Sequence, residues 1–341
     1  MKNFDVIIVG GGPAGCAAAI HAASQKLKVC ILERETFPRH RPGETLHPGV
    51  ESLFKQLGVL NVVEREVSVR HAGIYVQWES KNLQFQPYQP NEDQEPWLGY
   101  QAYRSVLDNI LLERAKSLGV QALMPARINE LKYNDNHQTY EISVNNEILS
   151  APYLIDASGS WHYLARELDI PIETYSKKLY SRYGYVEGML EECDGLPTII
   201  ADSEGWTWTA LIDKGFYQWT RLSFEEKPIA ATWKPPIFKR LHARGTPKGA
   251  DVTWRMVAQP AGRGYFIVGD AAIVLDPASS HGVLRALMSG IKAADLIAHT
   301  LHQVCEEAVA VQEYNRWLFE WFSHDITKLK ELYGKLSFNV Q

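Results

Sequence analysis

FDVIIVGGGPAGCAAAIHAASQKLKVCILE, residues 4–33, decides the fold. Phe4–Val9 is a mostly apolar run that stops at a glycine cluster, the pattern of a strand buried on both faces of a parallel sheet. The alanine-rich stretch Gly15–Ser24 predicts a tightly packed helix, and Lys28–Leu32 a second strand closed by Glu33. Together they make a βαβ unit. Gly10-Gly11-Gly12-Pro13-Ala14-Gly15 fits GxGxxG, and Glu33 follows 18 residues later. Gly10 permits the tight turn, Gly12 lets a pyrophosphate reach the backbone, and Gly15 allows close helix–strand packing. The helix start offers unpaired N–H groups and a partial positive charge to phosphates, while Glu33 is expected to accept hydrogen bonds from ribose hydroxyls. Strand, loop, helix, strand and acid in this order predict a dinucleotide site.

Outward from this unit, Arg34–Pro48 is polar, carries Pro38, Pro42, Gly43 and Pro48, and reads as an ordered loop. A short helix is expected over Gly49–Gly58, strands over Gly73–Trp78 and within Leu83–Pro96, and a helix over Arg104–Leu118. Short strands follow at Arg127–Tyr133, Thr139–Val144 and Tyr153–Asp156. From Ile170 to Val257 the pattern turns to β. Trp206, Trp208, Ala210 and Ile212 alternate with Thr207, Thr209 and Leu211, and Asp213-Lys214-Gly215 turns the chain into Phe216–Phe224, which predicts a hairpin with a buried tryptophan face. Tyr265–Val268 is again a buried strand, Val283–Leu301 a long helix, and Glu306–Leu336 an aromatic helical tail.

The far end of the chain chooses the dinucleotide. Tyr265–Asp270 (YFIVGD) is a buried strand ending in Gly-Asp, followed by Asp276-Pro277 and by Gly282 opening the long helix. An aspartate there can hold the ribityl hydroxyls of a flavin. The helix start at Gly282–Leu284 can face the pyrimidine edge, where negative charge builds up on reduction. No second GxGxxG exists for a separate nicotinamide domain, so FAD is favoured over NAD.

Composition narrows the class. With 341 residues the chain has room for two domains at ~150 residues each. An apolar fraction of 45% and a charged fraction of 22% exclude a disordered chain, and a net charge of -5 gives no basic field for nucleic acid. No apolar run approaches the ~18 residues of a membrane span. Cys16, Cys30, Cys193 and Cys305 lie far apart without CxxC spacing, so neither a metal site nor a disulfide scaffold is expected. A first strand near Phe4 leaves no room for a signal peptide, and a cytoplasmic location is the expectation.

The chain resembles the flavin monooxygenase superfamily typified by p-hydroxybenzoate hydroxylase, and within it the branch of tryptophan halogenases and geranylgeranyl reductases. Five motifs carry the resemblance in order: GGGPAGCAAA at 10–19, Pro42-Gly43-Glu44-Thr45, Arg104 with Asp108 in YRSVLDNILLERA, Asp156-Ala157-Ser158-Gly159, and GDAAIVLDPASSHGV at 269–283. The resemblance implies that Gly10, Gly12, Pro13, Ala14 and Gly15 cradle the FAD pyrophosphate, with Glu33 and Arg34 at the ribose side. It implies that Arg104 reaches the phosphate or ribityl region and that the backbone near Ile128 touches the adenine. Asp270 would hold the ribityl chain, and Pro277, Gly282 and Val283 would flank the isoalloxazine.

The halogenase signatures are half present. Gly205-Trp206-Thr207-Trp208 matches the start of GWxWxIP, but Ala210-Leu211 replaces Ile-Pro. His281 occupies a place where halogenases usually carry a small residue near the halide. Arg70–Trp78 lacks the lysine that halogenases need between flavin and substrate. Relatives that bind NADPH commonly carry a DG motif with a following arginine. Here DASGSWHYLAR displaces the glycine and delays the arginine, which points to a separate flavin reductase or free reduced flavin. PGETLHPGV (42–50) and DPASSHGVLRALMSG (276–290) are similar to LodB-type flavoproteins that hydroxylate tryptophan in a partner protein, so the substrate expected is an aromatic small molecule or a Trp-containing peptide or protein.

The expected architecture is α/β: a Rossmann-like FAD-binding domain from 1–72, 98–165 and 258–304, an inserted β-sheet substrate domain from 73–97 and 166–257, and C-terminal helices over 305–341. The expected function is an FAD-dependent monooxygenase that hydroxylates an electron-rich aromatic substrate through a flavin C4a-hydroperoxide. The alternatives are a reductase of isoprenoid double bonds, a halogenase, or a flavin-bound maturation factor that docks a partner protein. His281, His47 and Glu44 are the candidate catalytic groups. Either histidine titrates near neutral pH in the loops expected at the isoalloxazine. Glu44 could act on substrate or flavin, or cap the helix at 49–58.

Overall fold

The computed structural model describes residues 1–67, 69–78, 82–90, 96–190, 195–225, 227–336 and 340. Val6–Val9, Val29–Leu32 and Tyr153–Asp156 are buried at every position, as strands covered on both faces must be. They form the centre of a six-stranded sheet in the order Ala261–Gly262, Tyr265–Ile267, Tyr153–Asp156, Val6–Val9, Val29–Leu32, Gln121–Leu123. All its pairings are parallel except the hairpin at the Ala261–Gly262 edge.

The helix Pro13–Ser24 packs through Ala14, Ala17, Ala18 and Ala22. The helix Gly282–Leu301 crosses it so closely that a Cβ on Gly290 would fall 2.2 Å from the Ala14 carbonyl oxygen. Small residues are what permit that approach. A four-stranded sheet, in the order Lys2–Asn3, Glu147–Ala151, Thr139–Val144, Ile128–Asn134, closes one end of this half.

The second large sheet has seven strands in the order His242–Asp251, Tyr180–Glu187, Phe216–Ser223, Gly205–Asp213, Thr198–Asp202, Gly73–Gln77, Gln84–Pro87. Trp206, Trp208 and Ala210 lie opposite Leu222, Thr220 and Gln218 in register, and all except half-buried Thr220 are buried. The hairpin turns through Lys214 and Gly215, where Gly215 takes φ +69°. The opposite face has its own small core of Val186, Tyr217, Trp219, Phe238 and Leu241. A three-stranded sheet, Thr45–Leu46, Gly99–Gln101 and Val69–His71, contributes loops to the site described below. The C-terminal helix Glu307–Gly334 buries Tyr314, Leu318, Phe322, Ile326, Leu329 and Tyr333, a one-sided stripe at three- and four-residue spacing.

Several elements go beyond the sequence expectation. Glu147–Ala151 follows a turn at Asn145-Asn146 with both residues at positive φ, a hairpin signal that the sequence did carry. Leu60–Glu66 is a short helix with one buried residue. His242–Asp251 is an almost wholly exposed edge strand without apolar alternation, held by its pairing with Tyr180–Glu187. The stretch Arg34–Pro48, expected as a loop, contains the two-residue strand Thr45–Leu46. Cys16 and Cys30 are buried free thiols, Cys305 is half-buried, and Cys193 lies outside the described residues. Among the described residues no helix is long and apolar enough to cross a membrane, and no His, Cys, Asp or Glu cluster is placed to hold a metal.

Candidate functional site

The glycine loop is pressed against its neighbours on two sides. Gly10 takes φ +108°, and a Cβ there would lie 2.3 Å from the Ala157 carbonyl oxygen; one on Gly15 would lie 2.0 Å from the Gly10 carbonyl oxygen. Gly12 is the N-cap of the helix Pro13–Ser24 and supplies no side chain, so the first N–H groups are left for a ligand. Glu33 is buried. Its Oε2 accepts the Gly11 N–H (2.7 Å) and its Oε1 the Glu35 N–H (2.9 Å), so the acid holds the loop as well as offering itself to a ribose.

Two arginines converge on this loop. The Arg39 guanidinium lies 3.7 Å from both Glu33 and Asp108 and 3.2 Å from where a Gly12 Cβ would sit. Its Nε is buried without a hydrogen-bond partner among the described residues. Arg104 opens the helix Arg104–Ser117. It donates to both oxygens of fully buried Asp108 (2.8 and 3.1 Å) and to the Pro42 carbonyl (2.8 Å), so it is no surface residue. Asp108 and Glu44 raise the affinity of Arg104 for its proton further. Arg34, by contrast, is 60% exposed and 3.7 Å from Glu35. Ile128 is half-buried beside the 123–126 segment, which bonds both backbone groups of Glu33. A cradle that Cβ atoms would fill and a buried guanidinium with an orphaned donor fit a pyrophosphate.

Asp270 follows the buried strand Tyr265–Ile267. Its turn is fixed by the Gly269 N–H donating to Ser289 Oγ (2.9 Å) and the Val268 N–H donating to the Asp156 carbonyl (2.8 Å). The Asp270 side chain is accessible, yet surrounding protein raises its carboxyl above the ordinary range, against the pull of Arg285, Arg104, Arg255 and His162. Gly43, at φ +105°, brings its Cβ position within 3.2 Å of Arg104 and 3.8 Å of Val283, which joins the 42–49 loop to the start of the long helix. Pro277 and Gly282 are exposed beside this junction.

At the junction the charge pattern changes. His47 meets His281 edge to face at 5.0 Å, Trp97 at 5.2 Å and Tyr88 at 5.6 Å, and Tyr88 in turn meets His71 at 5.5 Å. Burial, then His281 and His71, push His47 down to about 4. Burial likewise pushes His71 down to about 4 and lowers His281. All three imidazoles are therefore neutral at pH 7. His47 Nδ1 accepts the Gly49 N–H (3.1 Å), which leaves its proton on Nε2.

Glu44 does not cap the helix Val50–Leu57. It accepts the Gly43 N–H (2.9 Å) and the Tyr185 hydroxyl, and burial pushes it up to about 7 against the pull of Tyr185 and Arg104. Asp276 is fully buried and accepts the Tyr333 hydroxyl and the Ala278 N–H (2.8 Å), while Trp206 donates its indole N–H to Tyr333 (2.9 Å). Burial raises Asp276 to about 6. The segment Asp276–Ala278, the seven-stranded sheet and the C-terminal helix thus meet at one carboxyl group.

The structure brings together Gly10, Gly12, Gly15, Glu33 and, through Asp108, Arg104; it also joins Gly43, Val283, His47 and His281. Sequence reasoning missed Arg39, Tyr185, His71 and Tyr333. Arg39 alone had a local signal, a second arginine five residues after Arg34 in the same loop.

A family model described as an FAD binding domain matches residues 3–210. A tryptophan 2-halogenase of Chondromyces crocatus is 25% identical over 92% of this chain and 65% of its own length. The myxobacterial chondrochloren halogenase, described as a new variant of FAD-dependent halogenases, superposes with TM-score 0.87 at 22% identity over 98% of this chain and 83% of its own. A probable FAD-dependent monooxygenase from Pseudomonas aeruginosa superposes with TM-score 0.78 at 16% identity over 95% of this chain and 93% of its own.

Proposed function

Because the chain belongs to the FAD binding domain family and is an FAD-dependent oxidoreductase, we propose that it is a monooxygenase that hydroxylates an electron-rich aromatic ring. The ring would lie at the junction of the 42–49 loop, the start of the long helix and the inserted sheet. Glu33, Arg39, the glycine loop, Arg104 and Asp270 would hold FAD. When bound, FAD supplies the two electrons with which one atom of molecular oxygen goes to the ring and the other leaves as water.

The observation that carries this reading is the neutral His47–His281 pair, set in an aromatic wall where halogenases carry a small residue. Substitution of a ring hydrogen by oxygen releases one proton, and a neutral imidazole can take it. His47 carries its proton on Nε2 and would serve as a donor, and the neutral His281 beside it is the acceptor we propose. Tyr88 and Trp97 pack against His47, and Trp208 donates to Thr45 of the same loop (3.3 Å), rings that would help exclude water, as oxygen transfer requires. A tryptophan ring in a small molecule, peptide or protein is the preferred substrate class, and a separate flavin reductase the preferred electron source.

Halogenation is the second reading, favoured by the tryptophan 2-halogenase relative. The test is mass spectrometry of products from FAD-loaded enzyme, a flavin reductase, ¹⁸O₂ and a panel of indoles, phenols and tryptophan peptides in the presence of bromide. One ¹⁸O atom in the product is expected. A brominated product as the main one overturns hydroxylation, and a saturated double bond in an added isoprenoid overturns both readings.

A further inference from the structure

Arg255, half-buried, and His162, buried, form a strut under the turn that carries Asp270, and no element of the dinucleotide motif accounts for it. His162 is 3% exposed and sits at φ +52°, in the left-handed region that histidine enters more readily than most non-glycine residues. Arg255 Nε donates to His162 Nε2 at 3.0 Å. Since a guanidinium has no acceptor, Nε2 is unprotonated and the imidazole proton is on Nδ1, which donates to the Ala271 carbonyl at 2.7 Å. Ala271 closes the three-residue turn Gly269–Ala271 with Asp270 at its centre. Arg255 is anchored in turn by the Thr253 carbonyl (3.1 Å). It also begins the strand Arg255–Val257, which pairs with Ile273–Val274 just past the turn.

We infer that His162 and Arg255 are positioning residues that aim Asp270 at the flavin ribityl chain and tie this aim to the inserted β segment. The inference rests on the reading of Asp270 as a ribityl ligand. His162 lies in DASGSWHYLAR and braces the turn that carries Asp270 from behind. The side chains that face His162 are Arg255, Arg166 and Asp270, and burial with the two arginines keeps it neutral. A neutral ring is what the strut needs, because a proton on Nε2 would face Arg255.

The test is FAD affinity of the full chain by quenching of flavin fluorescence, with the melting temperature of the FAD-free chain measured beside it. Arg255→Met and His162→Leu are each expected to weaken FAD binding about tenfold, the scale of one lost charge-assisted hydrogen bond. The double variant is expected to be no weaker than either single one, since both cut the same strut. His162→Gln, whose amide can donate to Ala271 and accept from Arg255, is expected to restore affinity to within about threefold. If Arg255→Met or His162→Leu also lowers the melting temperature, Arg255→Lys and His162→Gln decide the matter at unchanged stability. Additive losses, or a His162→Gln as weak as His162→Leu, overturn the strut. Asp270→Asn separates the two readings. Undiminished affinity there overturns the ribityl role and the strut with it, whereas a weak Asp270→Asn beside an unaffected Arg255→Met overturns the strut alone.

Discussion

At the glycine-loop end of the site, the carboxylates of Glu33 and Asp108 meet the guanidinium groups of Arg39 and Arg104 within 4 Å. At the loop junction, Glu44, His47, His71 and Asp276 are each moved toward their neutral forms, with hydroxyls, indoles and rings as neighbours. One end carries fixed charges suited to phosphates. The other gathers buried groups that titrate near or below neutral pH, with Arg104, Arg70 and Arg285 acting on them without a direct ion pair. A single chain builds both because burial outweighs a counter-charge that is not in contact, while a direct ion pair holds the charge.

Removing charge from the first end has the largest expected effect. Arg104→Met leaves Asp108 fully buried with only the longer Arg39 contact, and a loss of about 3–5 kcal/mol is expected, read from urea unfolding of the FAD-free chain. A loss under 1 kcal/mol would show that the phosphate end tolerates a bare carboxylate, which would erase the contrast.

The junction is tested by pH. Glu44 rises from 4.5 to about 7 on folding, so the folded chain binds its proton more tightly. Its contribution is complete below pH 4.5 and is lost as pH rises through about 7, a swing of ~3 kcal/mol. Glu44→Gln is expected to flatten the unfolding free energy across this window. His47 moves the other way, from 6.5 down to about 4, so its contribution is present above pH 6.5 and is lost as pH falls through 4. His47→Phe is expected to remove a slope of opposite sign, worth ~2 kcal/mol once partial exposure is discounted. Parallel curves for wild type and both variants would mean that the junction is not neutral.

The smallest effect sharpens the phosphate end. Arg34→Ala is expected to change stability by less than about 0.5 kcal/mol and to leave FAD affinity unchanged, whereas Arg39→Met is expected to weaken FAD binding about tenfold. Equal losses in titrations of the two variants would return Arg34 to the site.

What the sequence revealed follows the distance over which each feature is encoded. The glycine loop, its two strands, its helix and Glu33 lie within thirty residues, and each is specified by its own neighbours. The Trp206–Trp208 hairpin was legible for the same reason. Arg34 was named and Arg39 was not because spacing along a polar loop does not say which of its three arginines turns inward. The partners of Glu44 and Asp276 lie 141 and 57 residues away, and nothing local to either carboxyl marks Tyr185 or Tyr333. The histidine enclosure draws on four separate stretches, so His71, Tyr88 and Trp97 had no common signal. The edge strand His242–Asp251 lies within the stretch read as β, but its bounds were not legible because its partner supplies what its composition lacks.

The bond between Tyr333 and Asp276 has a consequence for how the molecule is made. As the chain leaves the ribosome, Asp276 emerges 57 residues before the tyrosine that satisfies its carboxyl group. At about 5–20 residues per second this is a wait of roughly 3–11 s. Through that interval Asp276, Trp206 and Trp254 have no lid, so a nascent chain halted there is expected to engage chaperones rather than cofactor. Completion of the site is in this sense timed by translation, and its last turn of helix arrives as the closing piece.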